Sequence, residues 1–479
     1  MSTIASMTNL VEKAAQVSTM FHSAVLADSY KYTHYGMYPK DMTGMFSYIE
    51  PRGGMYPEAL FFGLSGYLQK YLSTPVTKAE VDEFEDIINS HIVGERFNRT
   101  DWDYILNKHG GYLPVRIRAP KEGSIIPVHN VMTTTESTDP RVPWVANFPE
   151  TTMLRGVWYP TTVATRSMMI KRILKRYLKM TSDCTAANQK LLWQLHDFGM
   201  RGVAVDAGSA GAAHLVNFYG TDTVEGLLYA RYYYGEPCAG GSIPATEHSV
   251  ATSEGRANEI NVYRRLIARY GKPGGIFAAV IDSYNMFDVC DFILPQIKQE
   301  LLASGVTMVL RPDSGDPLEI LPRMLNSLTN TFGYTINSKG FKVLNNAVRI
   351  IWGDGINENS IEQILALMAQ LGWSSENIAF GCGGYLLQSL TRDTMKWAQK
   401  TSAILVNGVW IDTTKDPITD PGKRSRPGRI TLYTNSAGEY YTSTKTDDQD
   451  MMQTVYENGE LMNQPTFAEI RQTAGMEDY

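Results

Sequence analysis

Several stretches of the chain carry side chains whose types and spacing could do chemistry. Arg311-Pro312-Asp313-Ser314-Gly315-Asp316-Pro317 sets a guanidinium and a carboxylate two residues apart in a segment stiffened by two prolines. Arginine forks onto phosphate oxygens, and a carboxylate can hold ribose hydroxyls or magnesium. The same run also reads as a surface turn with a local ion pair. Pro244-Ala245-Thr246-Glu247-His248-Ser249 offers an imidazole beside a carboxylate. Such a histidine can move a proton or act as a covalent nucleophile, or it can be a satisfied polar pair. Gly353-Asp354-Gly355 and Gly381-Cys382-Gly383-Gly384 form the third set. Glycines let a backbone approach a ligand, and N–H groups at a helix start suit an anion. Either loop alone fits a plain strand-to-helix turn; two on successive strands point to phosphate or ribose. Neither matches the Walker A or the G-x-G-x-x-G pattern. His196-Asp197-Phe198-Gly199 and Asp222 could line a pocket for an aromatic ligand, although Phe198 also reads as core and Asp222 as a helix N-cap.

These residues sit where apolar runs end. Residues 191–195, 277–281, 306–310, 348–352 and 377–380 are short, β-rich and apolar nearly throughout, as strands buried on both faces of a parallel sheet must be. Helical stretches separate them. After Gly355, Ile361, Ile364, Leu365, Met368 and Leu371 form one apolar face, and Asn359 with Glu362 resembles a capping box at its start. Alternating strand and helix predicts an α/β fold, an irregular (β/α) barrel-like domain over 181–395 with its working face at the carboxyl ends of the strands. A doubly wound open sheet would use the same ends. The barrel is preferred because so many consecutive strand ends carry such residues. Residues 1–180 together with 396–479 are expected to build a second, β-rich α+β domain. It would hold strands near 45–49 and 115–117 and a helix from about 161 to 180, followed by turns at Asn407-Gly408, Asp416-Pro417 and Asp420-Pro421-Gly422. Lys423, Arg424, Arg426 and Arg429 read as a solvated basic loop.

Composition narrows the classes. The 479 residues include 44 Lys and Arg against 50 Asp and Glu, a net charge of −6, with 43% hydrophobic and 20% charged residues. That is globular, and a poor match to nucleic acid, which selects basic surfaces. No apolar run approaches the roughly 20 residues of a membrane span. The start, residues 1–16, shows no secretory signal. Cys184, Cys238, Cys290 and Cys382 are scattered without a C-x-x-C pair, and no metal-ligand set is visible. A reducing, cytoplasmic setting is expected.

Taken together and in order, the segments around Asp28–His34 (28–34), 195–202, 213–223, 244–249, 311–318, 353–355, 377–384 and 390–393 are specific. The chain resembles the nicotinamide phosphoribosyltransferase family of the type II phosphoribosyltransferases, from about Ala24 to Glu469. The resemblance implies transfer of phosphoribose from phosphoribosyl pyrophosphate to nicotinamide, giving nicotinamide mononucleotide and pyrophosphate. It implies that Phe198 and Tyr30 sandwich the base, with Tyr30 supplied by the partner of a homodimer with shared sites. Asp222 would accept from the carboxamide and repel nicotinate, which argues against the same-fold alternative, a nicotinate phosphoribosyltransferase. Arg201 would border the base and phosphate; Arg311, Gly383 and Gly384 would take the 5′-phosphate, and Asp313, Gly353 and Asp354 the ribose. Arg52, Arg392, Lys400 and Lys415 match the family's pyrophosphate-binding cations. His248 matches a histidine phosphorylated by ATP, and Asp282 an aspartate near it and the ribose. Mg2+ would accompany phosphoribosyl pyrophosphate and ATP. Two positions depart from the pattern: Asn285 replaces a second aspartate of some relatives, and Ala398 a small hydroxyl residue.

Overall fold

The computed structural model describes residues 21–184, 190–420 and 423–476. The reading of residues 1–16 and the Pro421-Gly422 part of one turn lie outside them. Contacts divide the chain into two units: Met1–Thr165 with Tyr232–Gly235 and Leu390–Ala474, and Arg166–Arg231 with Glu236–Ser389 and Gly475–Tyr479. The division falls inside the long helix Glu150–Thr181, whereas the sequence pattern sets it near 180.

The second unit is built on six strands, β1 (Leu195–Asp197), β2 (Gly220–Thr221), β3 (Ile276–Val280), β4 (Thr307–Arg311), β5 (Val348–Trp352) and β6 (Ile378–Cys382). They lie in the order β2-β1-β6-β5-β4-β3, and every pairing is parallel. The apolar runs are therefore buried: Phe277–Val280 on β3, Met308–Leu310 on β4 and Ile350–Trp352 on β5 are all inside. Both free edges reach one short segment. Gly241 bridges Gly220 of β2, and Ala245 bridges Ala278 of β3. Backbone bonds from Gly241 N to the Tyr219 carbonyl (2.8 Å) and from Ala278 N to the Pro244 carbonyl (2.8 Å) fix the two contacts. The sheet thus curls toward an irregular barrel, with five residues of non-strand backbone in place of a seventh strand. Inside, Ala278, Val309 and Ile351 pack with Phe198, Ile243 and Ala379.

Two local readings differ from the structure. Residues 190–193 form a 3-10 turn and the strand starts only at Leu195. Leu191 and Leu192 are buried all the same, so the apolar run encodes burial and not extension. The helix Glu358–Gln370 buries Ile361, Ile364, Leu365 and Met368, but its capping box pairs Asn357 with Ser360, and Leu371 is its exposed C-cap. Glu362 instead accepts from the Tyr177 hydroxyl at 2.8 Å.

The first unit contains a seven-stranded sheet in which Met42–Pro51 pairs antiparallel with both Trp397–Val406 and Thr133–Ser137. Its strand Val115–Ala119 alternates buried and half-buried residues, as a one-faced sheet requires. The basic cluster is not uniformly solvated. Arg426 bonds Glu50 (2.7 Å), itself only 5% exposed, and Arg429 bonds both oxygens of Glu136 (2.9 Å). Lys423 and Arg424 do face solvent.

One glycine decides how a strand meets the mouth of the barrel. A Cβ at Gly381 of β6 would lie 1.9 Å from Cε2 of Phe198, so the ring rests on bare backbone. Gly381→Ala should destabilise the fold by roughly 1–3 kcal/mol, as overpacking does. Adding Phe198→Ala to it should restore part of the melting temperature. Equal melting of Gly381→Ala and wild type would show that the ring does not occupy that place.

Candidate active site

Because all six strands run the same way, their carboxyl ends open at one mouth. Phe198 follows β1, Asp222 follows β2, Asp282 lies just past β3, Arg311 ends β4, Gly353 and Asp354 follow β5, and Gly383 and Gly384 follow β6. The backbone packing makes this a continuous surface. Phe198 N donates to the Cys382 carbonyl (2.9 Å), and a Cβ on Gly199 would meet the Gly383 carbonyl at 2.9 Å. A Cβ on Gly202 would meet Cα of Gly384 at 3.0 Å, so the turn carrying Arg201 abuts the glycine loop. Arg201 itself is exposed.

Arg311 holds the centre. Its Nε and one Nη approach Oδ1 of Asp313 at 3.3 and 2.9 Å, and the guanidinium carbon lies 5.3 Å from the centroid of the Phe198 ring. The half-buried ring therefore packs directly on the Gly381 backbone, with a cation over it. Gly353 lies against the same pair: a Cβ there would stand 3.3 Å from both Arg311 Nε and Asp313 Oδ1. Asp354 projects into solvent, and its carbonyl accepts from Trp352 Nε1 at 2.9 Å.

His248 opens a short helix directly after the segment that bridges β3. Thr246 anchors that segment, its N–H donating to Ala278 (3.0 Å) and its hydroxyl accepting from Val280 N (2.9 Å). The carboxylate that meets the imidazole is Asp282 and not the adjacent Glu247, which accepts from Ser249. His248 Nε2 lies 3.2 Å from Asp282 Oδ1; the imidazole is half exposed, the carboxylate only 5%. Ser314, next to Asp313, donates to the other oxygen of Asp282 at 2.5 Å. Asn285 caps the following short helix, its side-chain oxygen accepting from Phe287 N at 3.1 Å. An aspartate could make the same cap, so this departure leaves the local turn intact.

Two residues at the mouth carry no signal strong enough to single them out by type. Asp197 is fully buried beside exposed Asp222. Its backbone oxygen accepts from Asp222 N (2.9 Å), Oδ1 accepts from Gly199 N (2.7 Å), and Oδ2 lies 3.4 Å from the Thr221 hydroxyl. Burial pushes its carboxyl up to about 6, the hydrogen bonds oppose this, and the negative charge of Asp222 adds to it. Ser314 is the other, legible only as part of the Asp313 turn. Cys382, within the glycine loop, is no nucleophile: burial raises its thiol to about 12, and it contacts the Ile356 carbonyl at 3.1 Å.

The remaining predicted residues belong to the first unit. Tyr30 is 55% exposed and stands edge-on to His34, with centroids 4.8 Å apart. Arg52, just past the strand Met42–Pro51, donates through Nε to the Lys396 carbonyl (3.3 Å). Lys400 sits across from Tyr48 in the paired strands. Burial holds its ammonium below the ordinary lysine range; Glu150 opposes this, while Arg52, Lys415 and Lys31 press it further down. Mutual repulsion of that kind marks a cation group suited to a polyanion. Arg392 is exposed beside Asp393 (3.3 Å), and Ala398 is fully buried. Among the described residues no group of three or more His, Cys, Asp or Glu could hold a metal.

A parallel barrel whose mouth combines an aromatic shelf, an arginine–aspartate pair and two glycine loops is the framework of a phosphoribosyl-handling enzyme. The model of the nicotinate phosphoribosyltransferase (NAPRTase) family matches residues 193–460, and that of the nicotinamide phosphoribosyltransferase N-terminal domain matches residues 22–117. A nicotinamide phosphoribosyltransferase of Xanthomonas campestris pv. campestris is 46% identical over 456 residues, covering 93% of this chain and 96% of the relative. One of Acinetobacter baylyi is 32% identical over 489 residues, covering 93% and 95%. Among solved structures, nicotinate-nucleotide pyrophosphorylase from Pyrococcus furiosus superposes with a TM-score of 0.56 at 16% identity over 94% of each chain. Human nicotinic acid phosphoribosyltransferase gives 0.55 at 17%, covering 94% and 93%. These two share the fold. The chain belongs to the nicotinate phosphoribosyltransferase (NAPRTase) family.

The buried carboxyl of Asp197 makes a pH prediction. With its folded value raised to about 6 from 3.8, the folded chain keeps a proton that the unfolded chain loses. Its stabilising contribution is complete below about pH 4 and is lost as pH rises through about 6, an effect of about 3 kcal/mol. Denaturation of wild type and Asp197→Asn between pH 4 and 7 should show the variant gaining on wild type as pH rises. Parallel curves would place the carboxyl in water.

Proposed function

We propose that the chain transfers phosphoribose from phosphoribosyl pyrophosphate to nicotinamide, releasing pyrophosphate, as a step of NAD salvage. The observation that carries this reading is the Phe198 ring set on Gly381 beside Arg311, at a mouth that also gathers Asp313, the two glycine loops and the His248–Asp282 pair. Identity to proteins named nicotinamide phosphoribosyltransferase over nearly the whole chain supports it. The pyridine nitrogen of nicotinamide is neutral and has a free lone pair, so no general base is needed. That nitrogen attacks C1 of the ribose, the C1–O bond breaks with its electron pair leaving on pyrophosphate, and a pyridinium nucleotide forms. The site must align the reactants and neutralise the leaving group.

Phe198 provides a flat shelf whose stacking contributes about 0.5–1.5 kcal/mol beyond area burial. Tyr30 covers the other face from the partner of a homodimer with shared sites. Arg311 with the Gly383-Gly384 backbone binds the 5′-phosphate, Asp313, Gly353 and Asp354 hold the ribose, and Arg201 borders base and phosphate. Arg52, Arg392, Lys400 and Lys415 take the pyrophosphate. Asp282 steadies the positive charge that grows on the ribose. The donor set fits magnesium that arrives on the substrate's phosphate oxygens, where one or two carboxylates suffice, and it supplies charge neutralisation there. His248 accepts the γ-phosphoryl group of ATP on the ring nitrogen not held by Asp282, releasing ADP; Asp282 balances the charge that the ring gains. Hydrolysis of that phosphohistidine couples ATP to synthesis. No helix among the described residues is long and apolar enough to cross a membrane. The four free cysteines support a reducing cytoplasmic setting.

Base choice is the test. Asp222 attracts an amide N–H2 and repels the carboxylate of nicotinic acid. With both bases in competition, purified protein should convert nicotinamide preferentially, and preference for nicotinate would give the alternative substrate. Asp222→Asn, which keeps an acceptor and loses the charge, should narrow the ratio of kcat/KM values by about tenfold or more, or 1.4 kcal/mol. An unchanged ratio would contradict the role assigned to Asp222. ATP should stimulate wild type but not His248→Ala, which should retain basal transfer; equal stimulation of both would remove the phosphohistidine.

A further inference from the structure

A polar network built on a buried arginine adjoins the two glycine loops. Arg166, on the helix Glu150–Thr181, is 2% exposed and ranks among the largest fully buried side chains. One Nη donates to the Tyr385 carbonyl, and both Nη atoms donate to the Ser389 carbonyl at 3.2 Å. The guanidinium also lies over the Tyr385 ring, 4.1 Å from its centroid, and its Nε is 3.6 Å from Oε1 of Glu358. The Tyr385 hydroxyl donates to the other oxygen of Glu358.

The placement of these partners gives the network a purpose. Tyr385 lies within the short helix Gly384–Leu387, which begins in the Gly383-Gly384 loop, and Ser389 lies two residues past its end. Glu358 is the first residue of the helix Glu358–Gln370, whose Asn357 and Ser360 side chains both donate to the Gly355 carbonyl (3.3 and 3.0 Å). Arg166 therefore holds the segment after one glycine loop through two carbonyls and the helix after the other through Glu358, and Tyr385 ties the two together. Stretching either link would leave a buried charge short of a partner, which is strongly unfavourable. A lysine could not make the fork.

We propose that Arg166, Glu358 and Tyr385 are positioning residues that set the spacing of the two glycine loops, and so the affinity for the phosphoribosyl half of the substrate but not for the base. The inference rests on the reading of those loops as the phosphate and ribose sites. Tyr385→Phe is the informative variant, because it keeps the ring under Arg166 and removes only the hydroxyl link. In steady-state kinetics its KM for phosphoribosyl pyrophosphate should rise about tenfold, with KM for nicotinamide changed less than about twofold. Arg166→Lys should show the same split more strongly. If Arg166→Lys fails to fold, Tyr385→Phe decides alone. A lowered melting temperature with both KM values unmoved, or both raised equally, would reduce the network to a structural brace and overturn the inference. A wild-type chain that forms no nucleotide would overturn the proposed function and this inference with it, whereas active wild type with an unmoved Tyr385→Phe overturns this inference alone.

Discussion

The parallel direction of six strands is the constraint on which everything else depends. It brings residues as far apart in sequence as Phe198 and Gly384 to one mouth, and it leaves the opposite ends of the strands without any of them. Parallel pairing demands apolar strands buried on both faces, so the polar residues are left the strand ends and the loops. Edge closure matters as much. Single bridges at Gly241 and Ala245 join both edges to one segment, and three residues beyond Ala245 that segment delivers His248 to Asp282. The same backbone therefore seals the sheet and completes the site.

Within the mouth, glycine is chosen where backbone must replace a side chain. Gly381 yields its Cβ space to Phe198, and Gly199 and Gly202 let the turn after β1 lie on the loop after β6. The charged residues are then held by one another. Arg311 is oriented by Asp313, and Asp282 divides its two oxygens between His248 and Ser314. Preorganisation of this kind lets a site meet developing charge without rearranging at the moment of reaction.

Much of this is legible in the residues, and for physical reasons. Short apolar runs ending in polar or glycine clusters read as buried parallel strands, and β3, β4, β5 and β6 begin and end within a residue or two of those runs. The turn at 190–193 was not legible, since four apolar-rich residues satisfy burial equally as turn or strand. Neither was the helix start at Asn357: two asparagines two residues apart both offer a cap, and only the fold chooses between them. The closing segment 241–245 makes one bridge on each side and so leaves no alternating pattern to read. Arg166 looks in sequence like any base on an amphipathic helix. Its importance comes from carbonyls at Tyr385 and Ser389, more than two hundred residues away. Asp197 is similar, because only its burial distinguishes it from exposed Asp222.

In the proposed function, base, ribose and phosphate lie in order across this one mouth, from Phe198 to the Gly383-Gly384 loop. A crystal structure of the protein with nicotinamide mononucleotide tests it most directly. The pyridine ring should lie on Phe198, the carboxamide nitrogen should stand within about 3 Å of an Asp222 oxygen, and the phosphate should meet Arg311 and the Gly383-Gly384 backbone. A nucleotide bound away from Phe198, or bound there with its phosphate turned away from that loop, would contradict the assignment.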